Sequence, residues 1–317
     1  MASKQIKSVY LEKLITNYII KKGSEFVTIE YIEELNRIES ILKCPVCNLA
    51  LNKHEKQYVC LNNHSYDIAS KGHINLLLAN QKNTKDPGDG KEMMEGRKNF
   101  LNKGYYLGFS KALNHVIMSN INGDYINILD AGCGEGYFLW RLKEAIYESD
   151  SNIKDPNFFG VDISKAAVTY AAKRDKKINF IVGSNFNLPI VSNTIDIIIR
   201  NFAPSDEQEL KRVLKDDGKL VVVTPGAEHL YGLKELLYVS ARKHEEKETI
   251  FESFKLIQRT AVKYNINLES SEDVKSLITM TPYYWTFDNS MREKAYDTSK
   301  LSTSLHFNIS VYEKCLL

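Results

Sequence analysis

Only 7 prolines and 16 glycines are spread over 317 residues, too few for a collagen-like repeat or a Pro/Gly-rich disordered chain. Aromatics are not depleted, at 10%, and 43% of the residues are hydrophobic, enough to bury the core of one large domain or two modest ones. No apolar run reaches the roughly 18 residues of a membrane-spanning helix. Lys4, Lys7, Glu12 and Lys13 interrupt any signal-like stretch near the N-terminus. These absences predict a soluble, cytoplasmic protein with no membrane partner. Cysteine is also scarce: of the five, at 44, 47, 60, 133 and 315, three fall within 17 positions. That clustering suits metal ligands better than a disulfide framework.

Charge is balanced overall, with a net of +2, but it is unevenly spread. Between Lys43 and Lys111 there are 11 basic and 6 acidic side chains, a net of +5, which leaves −3 for the rest. A basic segment on a near-neutral protein fits a polyanionic partner met by one module; a solvated lysine-rich face is the alternative.

Four segments follow from the patterning. Residues 1–42 read as two helices, one carrying Ile6, Tyr10, Leu14 and Ile19 and ending at Gly23, the other carrying Ile29, Ile32, Leu35, Ile38 and Leu42 after Thr28. Residues 43–80 are short and turn-rich around the cysteine cluster. Residues 81–124 hold a polar loop, with the turn signal Asp86-Pro-Gly-Asp-Gly90, and a helical stretch broken near Gly104. From residue 125 to 317, strand and helix alternate. Strands are expected at Tyr125–Asp130, Phe158–Asp162, Ile178–Val182, Ile195–Arg200 and Leu220–Thr224. Helices are expected at Tyr137–Tyr147, Ser164–Lys173, Asp206–Leu214 and Leu230–His244, and the run Leu305–Tyr312 reads as an edge strand. Such alternation predicts an α/β fold with a doubly wound, Rossmann-like sheet.

Cys44-Pro-Val-Cys47 is a CxxC knuckle; twelve residues on comes Cys60, and then His64. Two ligands on one tight turn and two on another are the layout of a tetrahedral structural zinc site, closed by four protein ligands. His54 competes as a ligand but lies in the polar hairpin tip.

Ile128-Leu-Asp-Ala-Gly-Cys-Gly-Glu-Gly-Tyr137 ends a strand in a glycine-rich turn and opens a helix. Gly132, Gly134 and Gly136 allow close ligand approach, and the next strand ends in Asp162, an acid suited to ribose hydroxyls. With Asp130 leading the turn, this resembles the first motif of the class I S-adenosylmethionine-dependent methyltransferases. Cys133 reads as a small buried residue.

From about residue 43 the chain resembles the bacterial 23S rRNA (guanine-N1) methyltransferases of the RlmA and TlrB type. The matching stretches are Cys44–Leu78, Lys85–Tyr106, Asp130–Phe138, Ile197–Pro204, Thr224–Tyr238 and Met280–Trp285. Residues 1–42 are not part of the family's usual pattern. The resemblance implies a zinc module that helps bind rRNA, an S-adenosylmethionine-dependent methyltransferase domain and a homodimer. The implied reaction is methylation of guanine N1 in a domain II hairpin near the macrolide-binding exit tunnel, a reaction tied to macrolide (tylosin) resistance. Members differ over which of two neighbouring guanines they modify. Tyr106, Gly134, Glu135 and His229 match cofactor contacts of the family, and Cys44, Cys47, Cys60 and His64 match its zinc ligands. The class I fold implies a substrate wall after the strand at Ile195, at Arg200, Asn201 and Phe202, where capping of the strand is the competing role. Asp206 and Glu207 are candidate proton acceptors. A methyltransferase for another RNA or a small molecule, and a catalytically silent ribosome-assembly protein, are the alternative functions.

Overall fold

A computed structural model describes residues 41–81, 88–149, 153–246, 250–286, 294 and 296–315. The expected helical pair within residues 1–42 lies outside the described residues except at its end, where Leu42, read as helical, instead forms an antiparallel bridge with Ile190. A three-stranded antiparallel sheet comes first, formed by β1 (Leu51–His54), β2 (Gln57–Cys60) and β3 (Ser65–Asp67). The short β4 (Ile74–Asn75) leaves it and pairs in parallel with β7 of the main sheet.

Two helices follow, α1 (Lys91–Asn102) and α2 (Leu107–Met118). The break between them falls at Gly104, which has a φ of +83°, a left-handed conformation that glycine adopts without steric cost. The Rossmann core then runs β5 (Asn127–Ala131), α3 (Tyr137–Glu148), β6 (Asn157–Asp162), α4 (Lys165–Arg174), β7 (Asn179–Val182), β8 (Ile195–Asn201), α5 (Glu207–Val213) and β9 (Leu214–Pro225). These strands are the near-continuous Ile, Leu, Val and Phe runs expected of a sheet covered on both faces. After α6 (Tyr231–Leu237), β10 (Phe254–Leu268), α7 (Ser271–Thr279) and β11 (Leu301–Lys314) complete the chain. The eight-stranded order is β10-β11-β9-β8-β5-β6-β7-β4, with β10 and β11 antiparallel and the others parallel.

Two readings of the sequence are corrected. The C-terminal run is an interior strand, because β11 pairs with β9 on one side and β10 on the other. The edge belongs to β10, a 15-residue strand for which the sequence pattern predicts no element and whose Lys255, Arg259, Lys263 and Asn267 are exposed. The helix expected at Leu230–His244 also stops at Leu237. Among the described residues no helix is long and apolar enough to cross a membrane.

The zinc-module strands share one hydrophobic core with the sheet. Cys44, Leu51, Cys60, Ile74 and Leu76 pack in the same buried cluster as Leu129, Val161, Ile181 and Ile198. Main-chain bonds continue the junction: Lys43 N–H donates to the Pro189 carbonyl at 2.9 Å, and Leu76 N–H to the Val182 carbonyl at 2.9 Å.

Candidate active site and metal centre

Two knuckles of like shape form the metal centre. Each ends on an asparagine in the left-handed region, Asn48 at φ +62° and Asn63 at φ +59°, a conformation asparagine tolerates better than most residues. Asn48 N–H donates to the Cys44 carbonyl and Asn63 N–H to the Cys60 carbonyl, both at 2.9 Å. The ligand atoms of Cys44, Cys47, Cys60 and His64 all lie within 4.8 Å of one another. Cys47 Sγ is 3.6 Å from Cys60 Sγ, and His64 Nδ1 is 3.4 Å from Cys60 Sγ and 3.7 Å from Cys44 Sγ. A tetrahedron with Zn–S near 2.3 Å has edges of about 3.8 Å, so the four atoms fit one zinc ion. The Tyr66 hydroxyl lies 3.3 Å from Cys44 Sγ, an outer contact that the spacing of ligands did not reveal. Burial opposes ionisation of Cys44, but bonds from Tyr66 and nearby backbone N–H groups bring its thiol down to about 6. His54 is exposed at the end of β1, outside the cluster. With four protein ligands the centre is structural.

The second centre lies where the parallel strands end. After β5 the chain turns through Gly132, Gly134 and Gly136 at φ +95°, +54° and +79°. A Cβ on Gly132 would stand 2.3 Å from the Ala203 Cβ, and one on Gly136 would stand 2.8 Å from the Phe180 ring. Those two glycines let the loop close onto its neighbours, while a Cβ on Gly134 would meet only Arg97 Nη1, at 3.1 Å. The half-buried Asp162 accepts from Gly134 N–H at 2.9 Å and from Ser164 N–H at 2.8 Å, which fixes both its oxygens. Asp130 is buried beneath the loop, and its Oδ1 has no hydrogen-bond partner. Burial first, and the nearby Asp162 second, push its carboxyl up to about 7. The Glu135 carboxyl is held by Arg174, whose Nε donates to Oε2 at 2.9 Å.

Phe307 of β11, fully buried, gathers the remaining side chains. Its ring centroid lies 5.3 Å from that of Tyr106, 4.7 Å from His229 and 6.0 Å from Phe202, with Phe109 stacked on it at 4.0 Å. Sequence reasoning missed Phe307; the only hint was its apolar place within the C-terminal run. His229 Nδ1 accepts from His306 N–H at 3.4 Å, which puts the proton of a neutral ring on Nε2. Burial, then His244 and His306, push His229 down to about 3, so it is uncharged at neutral pH. Phe202 has a φ of +56° and is 48% exposed. A large aromatic held in that region is strained, and here it stands in solvent just beyond β8.

The three residues of the expected substrate wall part company. Arg200 Nε donates to the Ala203 carbonyl at 2.7 Å and its guanidinium lies 5.8 Å from the Phe251 ring centroid, so it braces the turn. Asn201 Oδ1 is buried without a partner, as are Asn185 Oδ1 and Ser205 Oγ. Asp206 caps α5 by accepting from Glu209 N–H at 3.0 Å, and Glu207 accepts from Ser253 N–H at 2.6 Å. Each bond engages one carboxylate oxygen and gives the acid a structural duty at the start of α5.

The arrangement fits S-adenosylmethionine. A buried carboxyl with an unpartnered oxygen calls for a cation or a donor, an acid at the end of β6 suits hydroxyls, and a glycine cradle admits backbone contact. The methyltransferase-domain family matches residues 122–288, and the zinc-ribbon family described as "RlmA, N-terminal" matches residues 42–85. A Micromonospora griseorubida protein, provisionally named a 23S rRNA (guanine-N1) methyltransferase, is 30% identical over 271 residues, spanning 78% of this chain and 88% of that one. The 23S rRNA (guanine(748)-N1)-methyltransferase of Streptomyces fradiae is 26% identical over 78% of this chain and 86% of its own length. A Bacillus subtilis protein, also provisionally named a 23S rRNA (guanine-N1) methyltransferase, is 26% identical over 78% of this chain and 88% of its own. A zinc ribbon and an S-adenosylmethionine-dependent Rossmann sheet, matched together over nearly the whole length of such relatives, make this chain a member of the 23S rRNA (guanine-N1) methyltransferase family.

Proposed function

We propose that this chain methylates N1 of a guanine in 23S rRNA, within a domain II hairpin near the macrolide-binding exit tunnel, and so alters susceptibility to macrolides such as tylosin. It acts in the cytoplasm as a homodimer. The observation that carries the reading is the pairing of ribbon strand β4 with β7, which joins the ribbon to the sheet whose strands β5, β6 and β8 carry or lead to Asp130, Asp162 and Phe202. A zinc-anchored, lysine-bearing module is thus built onto the sheet that carries the cofactor loop, an arrangement suited to a large polyanion.

S-adenosylmethionine, when bound, supplies the electrophilic methyl group. Asp162 and the backbone at Gly132, Gly134 and Gly136 would hold its nucleoside part, Asp130 would support it from beneath the loop, and Tyr106 and His229 would wall the site. A neutral His229 adds no positive charge to oppose a sulfonium. Guanine N1 is hidden inside a Watson–Crick pair, so the base must be extruded or unpaired. Phe202, exposed at the mouth, stacks on that base. Asn201 suits the O6 edge of that base: its amide N–H donates to O6, where negative charge grows as N1 gives its proton to solvent and forms the bond to the methyl carbon that leaves the sulfonium. Arg200 and the Glu135–Arg174 pair hold the loops that carry these groups.

The test is to incubate the protein with S-adenosylmethionine and a domain II hairpin transcript, then run reverse transcription. An N1-methyl group blocks base pairing, so a new stop opposite one guanine is the expected result. Methylation elsewhere, or none, would reject the reading.

A further inference from the structure

Two stretches singled out in the sequence, Lys85–Tyr106 and Met280–Trp285, have, Tyr106 apart, no part in the site as described so far. They meet at one side chain, Arg97 of α1. Its Nη2 pairs with Asp89 at 2.8 Å and donates to the Met280 carbonyl at 3.4 Å. Its Nη1 has no partner among the described residues and stands over the bare Cα of Gly134, 3.1 Å from where a Cβ would be. The Asp89 carbonyl accepts from Ser164 Oγ at 2.8 Å, and a Cβ on Gly88 would crowd Ile163 and Ser164 at 3.0 Å. The segment 88–97 is therefore fastened over the loop that follows Asp162, with an ion pair at the rim of the glycine turn.

That pair is 27% and 36% exposed, and exposed ion pairs typically contribute only about 0–1 kcal/mol to stability. Stability is thus a weak reason for an arginine fork with a free end aimed at a glycine that no neighbour else approaches. Given S-adenosylmethionine at this loop, its nucleoside lies toward Asp162, and its amino-acid end remains to be bound. That end is a zwitterion, a carboxylate and an ammonium on one carbon.

We propose that Asp89 and Arg97 are the receptor for the amino-acid end of the cofactor, with Arg97 Nη1 donating to its carboxylate and Asp89 accepting from its ammonium. An arginine fork presents several coplanar donors, so Arg97 can keep Met280 and Asp89 on one nitrogen while the other serves the ligand. The two stretches then share a purpose: α1 supplies the fork, and the turn after α7 steadies it through the Met280 carbonyl.

The pair of probes is S-adenosylhomocysteine, which carries the amino-acid end, and 5′-methylthioadenosine, which lacks it and is otherwise alike at adenine, ribose and an uncharged sulfur. Equilibrium binding of both is measured on the full chain and on Arg97→Gln, Arg97→Lys and Asp89→Asn. Loss of a charge-assisted bond should weaken S-adenosylhomocysteine by about 10- to 100-fold in Arg97→Gln, and less in Arg97→Lys and Asp89→Asn. 5′-Methylthioadenosine should bind all four proteins alike, which also certifies that each variant is folded. An unchanged affinity for S-adenosylhomocysteine, or a parallel loss of both ligands in Arg97→Gln and Arg97→Lys, would overturn the proposal. Failure of the unaltered chain to bind either ligand would overturn the cofactor assignment itself, and the proposal with it.

Discussion

The two centres of this protein order their turns by opposite means. In the ribbon, every polar atom at the metal centre faces another: three sulfurs and an imidazole nitrogen converge within 4.8 Å, with Tyr66 closing one side. At the strand ends the turn is built from glycine and left open, and Asp130 Oδ1, Asn201 Oδ1, Asn185 Oδ1 and Ser205 Oγ are buried without partners. Buried polar groups are normally paired. A closed set of ligands marks a centre that holds the fold together; a group of orphaned acceptors marks one that waits for a ligand.

The ribbon should break most heavily. Cys60→Ser removes a thiolate, and structural zinc binding is coupled to folding. Zinc measured by elemental analysis should fall from one ion per chain to none, and hairpin methylation should disappear. Because the ribbon shares its core with Leu129 and Ile181, thermal unfolding should also shift down for the whole described unit. A chain that loses zinc but melts unchanged would show the two centres to be independent.

Changes at the open centre should be smaller and should separate from one another. Asp162→Ala removes the carboxylate proposed to bind the ribose, and calorimetry should show S-adenosylmethionine weakened by roughly 1–3 kcal/mol. Zinc content should stay at one. Phe202→Ala should spare cofactor binding while lowering the methylation rate about tenfold or more, since a base stacked on an aromatic ring is worth roughly 1–3 kcal/mol. A loss confined to cofactor affinity would remove Phe202 from the substrate wall.

The smallest effect is a slope. Asp130 sits near 7 when folded against an ordinary carboxyl value of about 3.9. A raised carboxyl stabilises the folded chain fully only below its unfolded value, so the unliganded protein should lose stability as pH rises through about 7. A cationic cofactor favours the ionised form. Its affinity should therefore increase across the same window, by at most about tenfold per pH unit. Asp130→Asn should flatten both curves, read by thermal melts and calorimetry at stepped pH.

The same contrast explains what the sequence made legible. The ribbon ligands and the glycine turn are local, so spacing alone brought Cys44, Cys47, Cys60 and His64 together and set Asp130 and Asp162 at strand ends. Strands β5 to β8 were equally plain, because burial on both faces leaves them almost wholly apolar. Burial that depends on distant partners was not legible. His306, Asn308 and Ser310 make β11 look half-solvated, yet Asn308 and Ser310 are only 4% and 8% exposed between two neighbouring strands. Lys255, Arg259 and Lys263 disguised β10 in the opposite sense. Phe307 and Arg97 owe their places to the strand order and to α1 crossing the turn after α7, which no spacing within one segment encodes.

The two residues of β4 have a consequence larger than their length. They occupy the hydrogen-bonding side of β7 at Ile181 and Val182, the flank of the sheet that has no other strand beside it. A shortened chain beginning near residue 79 would leave that flank bare, a row of unpaired N–H and C=O groups between apolar side chains, which is a template for joining another chain. The ribbon is thus also a guard against self-association. The catalytic half produced alone would expose this edge, which a lysine or proline set into β7 would blunt.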